Sequence, residues 1–292
     1  MARPGTPPHH RGMANGLRDL LRVPPGGPAR LDHRDPDDTP GFRGKKAKAR
    51  AALDDLAPVL SDLQERLFAA ATGGSRRRLL LVLQGMDTSG KGGTVKHVIG
   101  HLNPAGCRIR AFKAPTPEEL GHHFLWRVSN GLPRAGEIGI FDRSHYEDVL
   151  AVRVHHLVDK EVWSRRYAEI NAWEEALVRD GLVLVKVFLH IGDEEQRARL
   201  LRRLDRTDKH WKFSRNDITE RGLWPRYRTA YEAALERCST EPAPWYVVPA
   251  NRRWYRNWAV SRLLLEHLRE IDPRFPPGDF DVEDARRRLL AE

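Results

Sequence analysis

Gly85 and the pair Gly90-Lys91 enclose four residues at the end of an apolar run, Leu79–Leu83. An apolar strand that runs into GlyMetAspThrSerGlyLysGlyGlyThr at 85–94, with a helix opening near Gly92, is the setting of a phosphate-binding loop. Glycines let the backbone curl so that its N–H groups face inward. The helix N-terminus adds partial positive charge, and Lys91 adds a full one. Gly85, Gly90, Gly92, Gly93 and Thr94 are therefore expected around a phosphate, with Lys91 as the catalytic cation. One feature departs from the usual pattern. Gly92 follows Lys91, where a Ser or Thr hydroxyl normally holds Mg²⁺, and Thr94 comes two residues late. Asp87, inside the loop, is a candidate for the metal site instead. The competing reading is a glycine-rich turn that binds nothing; the preceding strand and the spacing of the lysine speak against it.

A second strand, Glu137–Phe141, ends in Asp142-Arg143. An aspartate at the end of a neighbouring strand orients Mg²⁺ or its water shell in such enzymes, and the following arginine can meet a phosphate. Glu147 and Asp148 lie one helical turn further on. They are candidates for a second Mg²⁺ or a base, against the alternative of an acidic helix-capping cluster. His145 is expected to be structural.

A third group is Arg199, Arg202, Arg203 and Arg206. At about 100° per residue they fall on one helix face, with Leu200, Leu201 and Leu204 opposite. A row of guanidinium groups can follow a line of phosphates with paired hydrogen bonds. Lys209, Lys212 and Arg215 extend the charge, so residues 193–225 read as a mobile lid that brings positive charge to the transition state. A solvated basic face is the alternative. Trp211 and Phe213 are expected to pack in the core.

The elements that must position these groups follow from the hydrophobic pattern. Apolar runs at Leu79–Gln84, Arg108–Phe112, Glu137–Phe141, Leu182–His190 and Trp245–Val248 alternate with helical stretches, which implies an α/β fold with a parallel sheet flanked by helices. Leu53, Leu56, Leu60, Leu63 and Leu67 define an amphipathic scaffold helix bent near Pro58, and Trp258–Arg269 reads as a closing helix. Residues 1–44, rich in Pro, Gly and turn residues, read as a flexible arm before a single domain at 45–292. Met13 is a candidate start, and the His9-His10 pair is read as incidental.

Lys+Arg is 50 against Asp+Glu 40, a formal charge of +10, which points to an anionic partner. No apolar run reaches the ~18 residues of a membrane span. Two isolated cysteines, Cys107 and Cys238, make neither a disulfide framework nor a metal site, so the default is a reducing cytoplasm. Zinc-ligand spacing, a recognition-helix motif and an aromatic platform are all lacking, so a nucleic-acid partner is not expected.

Taken together, the motifs resemble those of the polyphosphate kinase 2 family over roughly residues 35–270. They are the loop at 85–94, PheLysAlaProThr at 112–116, PheAspArgSerHisTyrGluAspVal at 141–149, LysHisTrpLysPheSer at 209–214, AlaProTrpTyrValValProAlaAsn at 243–251 and TrpTyrArgAsn at 254–257. The resemblance implies a thymidylate-kinase-like P-loop fold with a helical lid. It implies transfer of the terminal phosphate of inorganic polyphosphate to a nucleoside mono- or diphosphate, with Mg²⁺ and often reversibly, by a homo-oligomer. It also removes the anomaly at Gly92, because the family's loop has Asp early and Gly after the lysine. By the same carry-over Asp87 and Asp142 are the Mg²⁺-site acids, Lys91, Arg143, Arg203, Lys209 and Lys212 hold phosphates, and Lys113 lies beside the substrate path. An ATP-dependent small-molecule kinase on the same fold is the main alternative; it would not need a long basic ladder.

Overall fold

The computed structural model describes residues 16–292. Its strands are β1 (Arg78–Gln84), β2 (Cys107–Ala111), β3 (Ile138–Asp142), β4 (Leu182–His190) and β5 (Trp245–Pro249). They form one sheet in the order β2-β3-β1-β4-β5, and every pairing is parallel. β1 is buried along its whole length, as expected of a nearly continuous apolar strand covered on both faces.

The helices of seven residues or more are α1 (Lys46–Thr72), α2 (Lys91–Val98), α3 (Lys160–Arg179), α4 (Asp193–Leu204), α5 (Asn216–Gly222), α6 (Trp224–Arg237), α7 (Arg253–Ile271) and α8 (Val282–Ala291). One core face joins Phe141, Tyr146, Ile170, Tyr231 and Trp245; the other joins Leu81, Val185, Leu263 and Leu264 with Leu60 and Leu67 of α1. The amphipathic scaffold helix is thus α1, and Pro58 sits inside it without ending it. No helix among the described residues is long and apolar enough to cross a membrane.

The chain order places β1 at the switch point of the sheet, between β3 and β4, where a crevice opens at the carboxyl ends of the strands. The β1–β3 register pairs Leu83 with Asp142. The loop after β1 and the acids after β3 therefore emerge side by side.

The arm expectation is corrected for residues 16–44. Leu17, Leu21, Val23, Ala29 and Leu31 are buried. The Val23 N–H donates to the Trp245 carbonyl at 2.8 Å, Ser239 Oγ donates to the Val23 carbonyl at 2.6 Å, and Arg22 bridges Tyr246 in antiparallel sense. This segment covers the exposed edge of β5. Further along, Phe42 packs on Trp258 with ring centroids 4.8 Å apart. Turn residues at 35–42 signalled bends, but bends that are anchored by flanking apolar side chains. His9, His10 and Met13 lie outside the described residues.

Candidate active site

Gly85 leaves β1 with φ 153°; a Cβ there would stand 2.8 Å from the Leu189 carbonyl oxygen, so only glycine fits. Thr88 is held at φ 65° and Gly90 at φ 108° before α2 begins at Lys91. The Lys91 ammonium folds back over the loop and donates to the carbonyls of Gly85 (2.8 Å) and Met86 (3.4 Å). Burial pulls it below the ordinary lysine value and Arg143 adds to that, while Asp87, Asp142 and Glu147 oppose. The loop and its lysine form a compact cationic cradle at a helix N-terminus.

Asp142 closes β3, and Arg143 follows with φ 64°. Left-handed backbone at a non-glycine residue is strained, and such strain concentrates at functional sites. The turn lets the Arg143 N–H donate to the Leu83 carbonyl (3.1 Å) while its guanidinium reaches Asp87 at 2.9 Å. Burial alone would lower that guanidinium; Glu147, Asp87 and Asp142 outweigh it and raise it. Burial raises the Glu147 carboxyl against the pull of Arg143 and Lys91. Asp87, Lys91, Asp142 and Arg143 are thus brought together as the sequence predicted, with Glu147 among them.

Asp148 pairs with an arginine of α3. Its Oδ1 accepts from Arg166 at 2.9 Å, and burial pushes the carboxyl up to about 6 against the pull of Arg166 and Arg127. It ties α3 to the loop through Arg166 while lining the same cavity as Asp87 and Glu147. Thr94 is corrected: it is fully buried, and its hydroxyl donates to the Gly90 carbonyl of its own helix at 3.2 Å. His145 is buried, with Nε2 3.1 Å from Glu174, in line with a structural role.

Two cavities meet the loop. The first, about 490 Å³, is lined by Gly85, Asp87, Lys113, Arg143 and Glu147, with Phe112, Phe124, Tyr227 and Tyr231 forming apolar wall. The second, about 990 Å³, borders the loop at Thr88, Gly90 and Gly93. Arg202, Arg203, Arg206, Lys209 and Lys212 line this second cavity, so the predicted basic face does converge on one space. Lys46 and Arg50 of α1, together with Arg252 and Arg253, add to it. Sequence reasoning missed these four. Lys46 and Arg50 are four apart, one helical turn, and that spacing was the available signal. The aromatic and acidic lining of the first cavity, assembled from α3, α5 and α6, had none.

The lid expected at 193–225 is α4, a 3₁₀ turn at Thr207–Lys212 and α5. Arg203 clips it by donating to the Lys212 carbonyl (3.1 Å) and pairing with Asp217 (3.4 Å). Trp211, expected in the core, is instead 77% exposed, with the Lys212 ammonium 4.8 Å from its ring centre. Leu201 and Leu204 are likewise exposed, and only Leu200 of that face is buried.

The reason is Arg199, which departs from the expected ladder. It is 5% exposed, and all five of its N–H groups are used. Nε donates to Glu195 (2.7 Å), Nη1 to the carbonyls of Thr88 and Ser89 (2.8 and 3.0 Å), and Nη2 to those of Ala250 and Asn251 (2.6 and 2.8 Å). It rivets the loop to the end of β5 and has no donor left for a ligand. Arg199→Met is expected to lower unfolding free energy by about 3 kcal/mol or more, because four inward carbonyls lose their donors. Urea denaturation reads this directly; an unchanged midpoint would return Arg199 to the ligand path.

A parallel sheet with a glycine-rich loop at its switch point, a lysine opening the next helix and an aspartate on the adjacent strand defines a phosphate-loop phosphotransferase. The family model described as polyphosphate kinase 2 matches residues 43–276, and the chain belongs to that family. A protein of Meiothermus ruber named AMP/ADP-polyphosphate phosphotransferase is 49% identical over 271 residues, which cover 93% of this chain and 98% of its own. A protein of Rhodopseudomonas palustris named ADP-polyphosphate phosphotransferase is 40% identical, covering 80% and 82%. The crystal structure of polyphosphate kinase 2 from Arthrobacter aurescens TC1 superposes with a TM-score of 0.93 at 48% identity, over 97% of this chain and 99% of that one.

Proposed function

We propose that the protein moves the terminal phosphoryl group of inorganic polyphosphate, reversibly, to a nucleoside mono- or diphosphate, with AMP and ADP as acceptors. The observation that carries this reading is the pair of cavities that border one phosphate loop at different residues, Gly85–Asp87 for one and Thr88, Gly90 and Gly93 for the other. The larger carries eleven arginines and lysines in its wall and suits a flexible polyanion with no base to read. The smaller combines aromatic wall with cations and carboxylates and suits a nucleotide. The names of the relatives, which include AMP and ADP, support both acceptors.

Asp87, Asp142 and Glu147 offer only hard oxygen donors. No three acids or histidines converge tightly enough to cage a metal among the described residues. That fits Mg²⁺, which keeps several waters and takes one or two carboxylates plus phosphate oxygens. Bound there, Mg²⁺ would neutralise charge on the transferring group. Asp142 and Asp87 would hold it, Lys91 and Arg143 would bind phosphate oxygens, and the lid cations Arg202, Arg206, Lys209 and Lys212 would hold the chain. The loop amides Gly90, Gly92 and Gly93 would orient the phosphoryl group for in-line attack. Lys113, exposed on the first cavity, would meet the nucleotide phosphates. A homo-oligomer and a cytoplasmic location belong to the same proposal, and light scattering checks the first.

The test is product analysis. Purified protein with Mg²⁺ and polyphosphate is incubated separately with AMP, ADP, GMP and GDP. ADP and ATP are expected to form only when polyphosphate is present. Phosphate lost from ATP to another acceptor, with none taken from polyphosphate, would overturn the donor assignment. Exposed cations act through long-range attraction that salt screens. Arg202→Gln combined with Arg206→Gln is therefore expected to raise KM for long-chain polyphosphate and flatten its dependence on ionic strength. An unchanged salt slope would make this face merely solvated.

A further inference from the structure

Arg256 is not explained by the site as described. It lies near the start of α7, is 3% exposed, and lines the larger cavity. Its guanidinium is pressed against the loop. A Cβ on Gly90 would stand 1.7 Å from Nη1, and one on Gly93 would stand 3.0 Å from Nη2. Among the described residues no carboxylate pairs with it. Nε and Nη2 share the Asn257 side-chain oxygen (3.1 and 2.8 Å), and Nη1 reaches the Ser89 carbonyl only at 3.4 Å. That leaves two N–H groups without a protein acceptor. Burial, with repulsion from Arg199 and Arg253, lowers the group to about 9.

Arg199 shows by contrast what a structural arginine looks like here: every donor is matched and a glutamate stands beside it. A buried guanidinium without a partner destabilises the protein that carries it. It becomes favourable when an anion enters the cavity it faces.

We propose that Arg256 is the cation that grips the polyphosphate chain behind the loop, on the phosphate that becomes the new chain end. This rests on polyphosphate being the donor. In the transfer, the bond between the terminal phosphorus and the bridging oxygen breaks, and a bond forms from that phosphorus to an acceptor phosphate oxygen. The electron pair stays on the former bridging oxygen, which becomes a terminal oxyanion of the shortened chain. The acceptor oxygen is already anionic, so no proton need move. Arg256 lies against Gly90 and Gly93 and lines the larger cavity, where the shortened chain would carry that charge.

The experiment compares full-length wild type, Arg256→Met and Arg256→Lys. Each is measured for steady-state kinetics and for thermal midpoint with and without polyphosphate, in the absence of nucleotide. Arg256→Met is expected to raise the midpoint without polyphosphate, since it removes an unpartnered buried charge at similar side-chain length. Its kcat/KM for polyphosphate is expected to fall about 30-fold or more, the loss of a charge-assisted bond. KM for the nucleotide should be unchanged, and the stabilisation by polyphosphate should shrink. Arg256→Lys should fall between the two, and it carries the test should the methionine variant fail to fold. A variant whose kcat/KM for polyphosphate and whose polyphosphate-induced shift both match wild type overturns the proposal. Should wild type transfer nothing from polyphosphate, the donor assignment fails; stabilisation by polyphosphate that depends on Arg256 would still separate the two claims.

Discussion

Lys91→Ala is expected to cut polyphosphate-driven transfer by about 10³-fold or more, while leaving the thermal midpoint near that of wild type. The lysine stands where α2 begins, half-buried, with its ammonium donating to the carbonyls of Gly85 and Met86. Both acceptors belong to the loop itself, so the contact parks the charge over the cradle and bridges no two parts of the core. Phosphoryl transfer asks little covalent chemistry of the protein; rate comes from alignment and from cations that meet charge on the equatorial oxygens. Removing the lysine charge from the cradle therefore takes away a contact made in the transition state. Removing a parked contact costs the fold little. Product formation and a thermal melt on the same sample decide the matter. Retained transfer would place the phosphate site elsewhere, and a collapsed midpoint would make the lysine a structural group.

Asp142→Asn is expected to abolish metal-dependent turnover, again by about 10³-fold or more. The substitution keeps shape and removes charge. β3 delivers this residue beside Leu83, one strand from the loop, and its main-chain carbonyl accepts from Phe112 at 3.0 Å. The carboxylate itself accepts no hydrogen bond among the described residues. Asp87 by contrast already holds Arg143 at 2.9 Å. The less committed acid is the better ligand for an incoming ion. Activity measured across a Mg²⁺ series separates the possibilities. A variant that responds to Mg²⁺ as wild type does would leave Asp142 a purely structural acid.

How far the sequence reaches differs between these groups for physical reasons. The loop after β1 and the acids after β3 are contiguous motifs whose spacing is dictated by local backbone, so the sequence could place Asp87, Lys91, Asp142, Arg143 and Glu147 together, though not the inward turn of Thr94. β1, β3, β4 and β5 were legible because they are largely buried and almost wholly apolar, whereas the exposed edge strand β2 carries Arg108 and Arg110. Arg199 misled because helical periodicity reports a direction and says nothing of what lies there; that direction held four backbone carbonyls. Trp211 misled because an aromatic residue usually packs, yet this one sits on a turn over Lys212. The arm misled because bend-forming residues at 35–42 were read as looseness, although Leu17, Leu21 and Val23 are spaced to bury. The first cavity was invisible because Phe112, Glu147, Asn216 and Tyr227 meet only through the fold.

The two mouths of the phosphate loop have a kinetic consequence. If the proposed assignment of the two cavities holds, donor and acceptor would not contend for the same opening, and catalysis is expected to run through a ternary complex. Size selection then falls on one partner only. On that assignment the acceptor would have to fit a cavity of about 490 Å³, whereas the donor would engage by its end and could trail out along the basic cavity. A shortened chain would then be able to slide forward by one phosphate without leaving, so that one binding event would serve many rounds and the acceptor alone would be exchanged between them.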